Sequence, residues 1–99
     1  MARAIIGPMV RAGALCLINT GAIVEHECEL EAGCHLAPAA VLCGAARLGE
    51  GVLVGAGAVV APGLRVGAGA VLGAGAACIR DVPPGAAVAG TPARPLPER

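Results

Sequence analysis

The sequence contains no phenylalanine, tyrosine or tryptophan. The large side chains that usually anchor a core are therefore missing, and 99 residues leave little surface to bury in a single domain. An excess of charge of either sign is missing too, because seven basic residues face seven acidic ones. No basic run or aromatic platform marks a nucleic-acid surface. Long hydrophobic runs are absent: the longest stretches free of both charge and histidine, 51–64 and 66–79, are dense in glycine and too short to span a membrane. The first ten residues carry Arg3 and lack the long apolar core of an export signal, so the chain reads as soluble and cytoplasmic. The five cysteines form no CxxC pair, and an odd number cannot all be disulfides, so they read as reduced thiols acting as small hydrophobes. The GAGA runs are turn chemistry; no GK[ST] follows to make one a phosphate loop.

What is abundant is small aliphatic side chains, and they are periodic. Stepping by six from Ile6 gives Ala12, Ile18, Val24, Leu30, Leu36, Leu42, Leu48, Val54, Val60, Val66 and Leu72. All but Ala12 are branched aliphatics. Four residues after each comes a second apolar column, from Val10, Cys16 and Ala22 to Ala70 and Ala76. A period of six is neither helical nor a simple strand alternation. It fits a short strand followed by a tight turn, with three such units closing one triangular coil of eighteen residues. The large aliphatic points inward and the smaller partner fills the corner. Gly7, Gly13, Gly49, Gly55, Gly67 and Gly73 are expected to supply the unusual backbone angles of the corners. The pattern predicts an all-β parallel β-helix of about four triangular coils. Residues 6–79 form the helix, 1–5 are a short lead-in, and 80–99 are a closing strand and tail.

With eighteen residues per coil, every residue stands above the one eighteen earlier. The residues preceding the inward aliphatics then form three outward columns. Arg11, Glu29, Arg47 and Arg65 make a charged one suited to water. Leu17, His35, Leu53 and Val71 make a second; Ile5, Ile23, Val41, Val59 and Ala77 make a third. Two exposed apolar stripes on a small prism predict association, and a cyclic homotrimer gives each subunit two neighbours.

One coil departs from this plain pattern. Residues 18–35 hold Asn19, Thr20, Glu25, His26, Glu27, Glu29, Glu31 and both histidines of the chain. Breaks in a consistent local pattern are where function is expected. A carboxylate beside His26 can fix the imidazole tautomer, as a general base requires. Gly44, eighteen residues on, would leave room for a thioester and could aim its N–H at a developing oxyanion. From spacing alone, an exposed turn histidine beneath an ordinary corner glycine fits equally well.

The repeat resembles that of the hexapeptide-repeat acyltransferases, whose coils wind left-handed. The run Ile18-Asn19-Thr20-Gly21-Ala22-Ile23-Val24-Glu25-His26-Glu27-Cys28, followed by His35-Leu36-Ala37-Pro38, is similar to a narrower branch. That branch comprises the sialic acid O-acetyltransferases and the bacillosamine-type sugar N-acetyltransferases. The resemblance implies His26 as catalytic base with Glu27 as its partner, and Asn19 and His35 lining the acetyl and acceptor site. It implies that the backbone N–H of Gly44 meets the acetyl group. The segments Arg80-Asp81-Val82-Pro83-Pro84-Gly85 and Gly90-Thr91-Pro92-Ala93-Arg94 resemble the family's closing strand and loop. Arg80 and Arg94 could there pair with CoA phosphates. The function implied is direct acetyl transfer from acetyl-CoA to a sugar or nucleotide-sugar amine or hydroxyl, with no metal. A covalent route through Cys43 is a minor variant. The relatives carry an acceptor-binding domain before the repeat, whereas Met1 here stands a few residues before the first hexad. The alternative is therefore a catalytically idle scaffold. A γ-type carbonic anhydrase shares the prism but needs three histidines around zinc, and this chain has two.

Overall fold

The computed structural model describes residues 4–96, all strand, turn or irregular backbone. The outer parts of the expected lead-in and tail, residues 1–3 and 97–99, lie outside the described residues. Two-residue strands recur every six residues and stack into three parallel sheets, the faces of a left-handed triangular prism. The first face holds β1 (Ile5–Ile6), β4 (Ile23–Val24), β7 (Val41–Leu42), β10 (Val59–Val60) and β13 (Ala77–Cys78). The second holds β2 (Arg11–Ala12), β5 (Glu29–Leu30), β8 (Arg47–Leu48) and β11 (Arg65–Val66). The third holds β3 (Leu17–Ile18), β6 (His35–Leu36), β9 (Leu53–Val54), β12 (Val71–Leu72), β14 (Ala87–Ala89) and β15 (Arg94–Pro95).

The register is the eighteen-residue one: Ile5 pairs with Ile23, Arg11 with Glu29 and Leu17 with His35. In each strand from β1 to β14 the second residue points inward. Val24, Leu36, Leu42, Val54, Val60 and Leu72 have no exposed surface, and the small column of Ala22, Cys28, Cys34, Ala40 and Ala46 is equally closed. No polar or charged side chain is buried among the described residues. Chains of parallel ladder bonds, such as Ile5 N–H to Ala22 O at 2.9 Å and Gly7 N–H to Val24 O at 2.7 Å, tie each coil to the next.

The corners correct one expectation. Each is a type II turn, closed by bonds such as Ala22 N–H to Asn19 O at 3.1 Å. A type II turn needs positive φ at its second central residue. That position is held by Gly21, Gly33, Gly51 and others of their column, at φ between 61° and 75°. Gly7, Gly13, Gly49 and Gly55 stand two residues earlier, at ordinary φ. What they offer is close approach: a Cβ on Gly49 or Gly55 would come within 2.5 or 2.6 Å of the backbone nitrogen of Ala68 or Ala74 in the coil above.

The coiling also runs further than four turns. Val82 bridges to Val66 on the second face, and β14 pairs with β12, so residues 77–89 complete a fifth coil. This coil is two residues short, since Val66 meets Val82 and Leu72 meets Val88. The corner between β13 and Val82 is lost, and with it the peptide carbonyl that should accept from Arg65. The Asp81 carboxylate accepts from the Arg65 N–H instead, at 2.9 Å. β15 then turns back antiparallel on β14 and closes the sheet edge.

Asp81→Ala should therefore loosen the fifth coil. The expected loss is about 1–2 kcal/mol, the cost of one unpaired ladder donor, with most of it restored in Asp81→Asn. Urea unfolding followed by far-ultraviolet circular dichroism measures both.

Candidate active site

Asn19, His26, Glu27, His35 and Gly44 fall into two clusters. His26 and Glu27 are the two central residues of the corner that joins the first face to the second. Nδ1 of His26 lies 3.1 Å from Glu27 Oε1, on a pair that is 59% and 63% exposed. The carboxylate accepts from Nδ1–H, which leaves the lone pair on Nε2. Glu27 is able to do this because of an uncommon backbone. Its φ is 63°, in a column where eight corners use glycine.

Gly44 stands directly above in the same corner, and the imidazole lies across it. A Cβ on Gly44 would come within 2.6 Å of His26 Nε2 and 2.7 Å of Cε1. Gly44 is buried under this ring, whereas the corner residue above it, Pro62, is exposed. The glycine carbonyl accepts from Gly63 N–H at 2.9 Å, while its own N–H has no backbone acceptor among the described residues. From below, the corner is held by Glu27 N–H donating to Pro8 O at 3.0 Å. The space over Gly44 thus first serves the imidazole.

Asn19 and His35 form the second cluster. The Asn19 amide Nδ2–H donates to His35 Nε2 at 3.0 Å, and both side chains are half-buried. His35 belongs to the third face, and Asn19 opens the corner between the third face and the first. The whole width of the first face, with Ile23 at its middle, separates them from His26. Within one chain, the two clusters are not brought together.

Arg80 and Arg94 are both exposed and line one hollow of about 460 Å³ at the end of the prism, with Ile79, Asp81, Pro92 and Pro95. Arg80 follows Pro62 by eighteen residues but falls in the shortened stretch between β13 and Val82, just past the last intact corner of the His26–Gly44–Pro62 column. The position of Glu27 is legible in the numbering, since the six-residue step places it in the glycine column.

The cysteines are structural. Cys28, Cys34 and Cys16 donate to corner carbonyls of the next coil, those of Cys43, Gly49 and Glu31, at 3.1–3.2 Å. Burial pushes the Cys43 thiol up, and the Glu25 charge adds to it. A nucleophilic cysteine needs the opposite shift, so Cys43 is a poor thiolate.

Comparison with known proteins places the chain. Residues 45–80 match the bacterial transferase hexapeptide family, described as six repeats. Comparison with curated sequences gave no match. Among solved structures, the acetyltransferase domain of PglB from Neisseria gonorrhoeae, in complex with acetyl coenzyme A, is 40% identical with a TM-score of 0.81. The alignment covers 97% of this chain and 53% of that one. A mutant of perosamine N-acetyltransferase from Caulobacter crescentus, in complex with CoA and GDP-perosamine, is 34% identical with a TM-score of 0.89. There the shares are 98% and 55%. A serine acetyltransferase in complex with CoA is 30% identical, with a TM-score of 0.83 over 89% of this chain and 39% of that one. The chain spans about half the length of the first two.

Two outcomes follow from this geometry. Gly44→Ala is expected to leave the unfolding curve nearly unchanged but push the His26 ring aside, read as a shifted imidazole proton resonance that no longer responds to Glu27→Gln. Burial also raises the Cys28, Cys34 and Cys78 thiols above their ordinary 9.0. Native protein at pH 8 should therefore resist alkylation at these three positions until it unfolds. Because the folded pKa values lie above the unfolded ones, their contribution to stability holds below about pH 9 and is lost as pH rises beyond it.

Proposed function

We propose that this hexapeptide-repeat chain, whose likeness is to sugar acetyltransferases, transfers the acetyl group of acetyl-CoA directly to the amine or hydroxyl of a sugar or nucleotide-sugar. The observation that carries this reading is the His26–Glu27–Gly44 corner. It holds a solvent-accessible imidazole with its Nε2 lone pair free, lying over a glycine whose N–H has no backbone acceptor among the described residues. Nε2 takes the proton from the attacking amine or hydroxyl while nitrogen or oxygen bonds to the thioester carbon. The Gly44 N–H donates to the oxyanion that develops. Collapse of the tetrahedral intermediate breaks the carbon–sulfur bond, and the proton on His26 passes to the departing CoA thiolate.

The donor lies along the same corner. His26, Gly44 and Pro62 follow one another at eighteen-residue steps, and Arg80 stands in the shortened coil above Pro62. Arg94 shares the hollow beside Arg80. The two guanidiniums take the phosphates of CoA and leave the pantetheine arm to run down the corner to the base.

The rest of the site comes from a second subunit of a homotrimer. Ile5, Val59, Leu17 and Val71 are exposed apolar residues on the first and third faces, which meet at one corner. Three prisms placed with that corner toward a common axis fill only half the circle, since each corner subtends about 60°. The three remaining wedges open outward, each bounded by the first face of one subunit and the third face of the next. Such a wedge puts His26 of one chain at the rim and His35, steadied by Asn19, on the opposite wall. Cytoplasmic residence fits acetyl-CoA and five unpaired thiols.

Titration calorimetry with acetyl-CoA should give one site per chain, with protein concentration taken by refractive index because no aromatic absorbs. Release of free CoA thiol, screened over amino sugars and nucleotide-linked amino sugars, measures transfer. His26→Ala should keep trimer and acetyl-CoA binding and lose transfer by roughly 10²- to 10⁴-fold. A trimer that binds no acetyl-CoA would leave the idle scaffold as the better account.

A further inference from the structure

Among the described residues, five other than glycine hold a positive φ, and three of these stand in one column. Met9, Glu27 and Ala45 follow one another at eighteen-residue steps up the corner that carries His26, at φ of 62°, 63° and 61°. Leu15 and Ala39 stand singly in the other two corner columns. Above Ala45 the column returns to glycine at Gly63. Backbone held against its preference is a place to look for function.

The corner Gly44–Ala45 is built in reverse. Other corners with a glycine, such as Ala56–Gly57 and Ala74–Gly75, place it second, where positive φ is needed. Gly44 stands first, and the His26 imidazole lying across it accounts for that. The ring does not account for alanine at the second place. A glycine there would leave the seat intact and relax the backbone. Ala45 is exposed, so its methyl adds nothing to the core. What the register does give it is a place one ladder spacing, about 4.8 Å, above Glu27. Its N–H fixes the two corners together by donating to His26 O at 2.9 Å.

Glu27 has rivals to His26 close by. Its side chain is exposed, and it lines a hollow of about 250 Å³ together with Ala45, Arg11 and Arg47. Arg47 lies in the coil above, two residues beyond Ala45. A guanidinium attracts a carboxylate more strongly than a neutral imidazole does, yet the contact that forms is the one with His26 Nδ1.

We infer that Ala45 is a positioning residue: its methyl closes the way up from Glu27 to Arg47 and keeps the carboxylate on the imidazole. The strain of Ala45 is thereby spent on the tautomer of His26. The effect on rate rests on the reading of His26 as the base; the effect on the tautomer does not.

Nitrogen-15 NMR of the full chain labelled at histidine tests this at pH 8, because the two ring nitrogens shift according to which one carries the proton. Wild-type protein should hold the His26 proton on Nδ1. Ala45→Gly should melt about 5 °C higher, yet move that proton toward Nε2. In the release of CoA thiol it should lower kcat roughly tenfold and leave the KM for acetyl-CoA unchanged. Adding Arg47→Gln to Ala45→Gly should return the tautomer and most of the rate, since the rival is gone. A glycine variant that melts higher but keeps the wild-type tautomer overturns the inference and leaves the proposed activity standing. A double variant that stays shifted overturns the competition with Arg47. The expected tautomer changes in a protein that transfers no acetyl group overturn the activity and leave the positioning in place.

Discussion

Everything in this molecule depends on the parallel ladder bond between a residue and its counterpart eighteen positions later. A chain with no aromatic side chain cannot build a core from a few large anchors. Here the core is instead a stack of leucines, valines and isoleucines, each covered above and below by another of its kind. The ladder holds that stack in register, at a spacing close to van der Waals contact between aliphatics. A slip of one residue would turn the inward column out to water and bring the arginine face inside. The hydrophobic pattern and the hydrogen-bond pattern thus specify the same arrangement, and neither is sufficient alone.

The same constraint explains why the proposed base sits at a corner. Inward positions are closed, and apart from His35 the outward positions of the first and third faces are apolar. The turn residues beside those faces project freely while their backbone stays fixed by bonds to the coils above and below. His26 gains from both: Pro8 O holds the corner from below, and Gly44 gives the ring a flat seat above. The protein needs no loop to build a site, because one residue per corner can be exchanged without disturbing the ladder. The cysteines make the complementary point. They occupy the small inward column, where a thiol can reach a corner carbonyl that an alanine cannot.

Much of this was legible in the sequence because the fold is a translation of numbering into space. The six-residue step identified the inward column, and the eighteen-residue step identified the three outward ones and the stacking of Gly44 over His26. What escaped was whatever breaks the period. Glycine at Gly7 or Gly49 looks like a turn residue, but only the backbone distinguishes positive φ from close approach. The fifth coil was hidden because its two missing residues shift Val82 and Val88 out of phase. Asp81, which makes the shortening possible, has no signature of its own. The separation of His26 from the Asn19–His35 pair was implicit in the numbering, since seven residues cross one whole face.

The left-handed backbone of Glu27 ties durability to usefulness at one position. An L-residue with a side chain in that conformation costs about 1–2 kcal/mol relative to an ordinary one, and glycine is its natural replacement. A search for hardier versions of this protein by directed evolution would be drawn to Glu27→Gly, and each success would erase the carboxylate that orients His26. Selection for heat resistance alone would thus breed sturdy prisms with a loose imidazole. Any library meant to improve the protein has to screen for the His26–Glu27 contact in the same round.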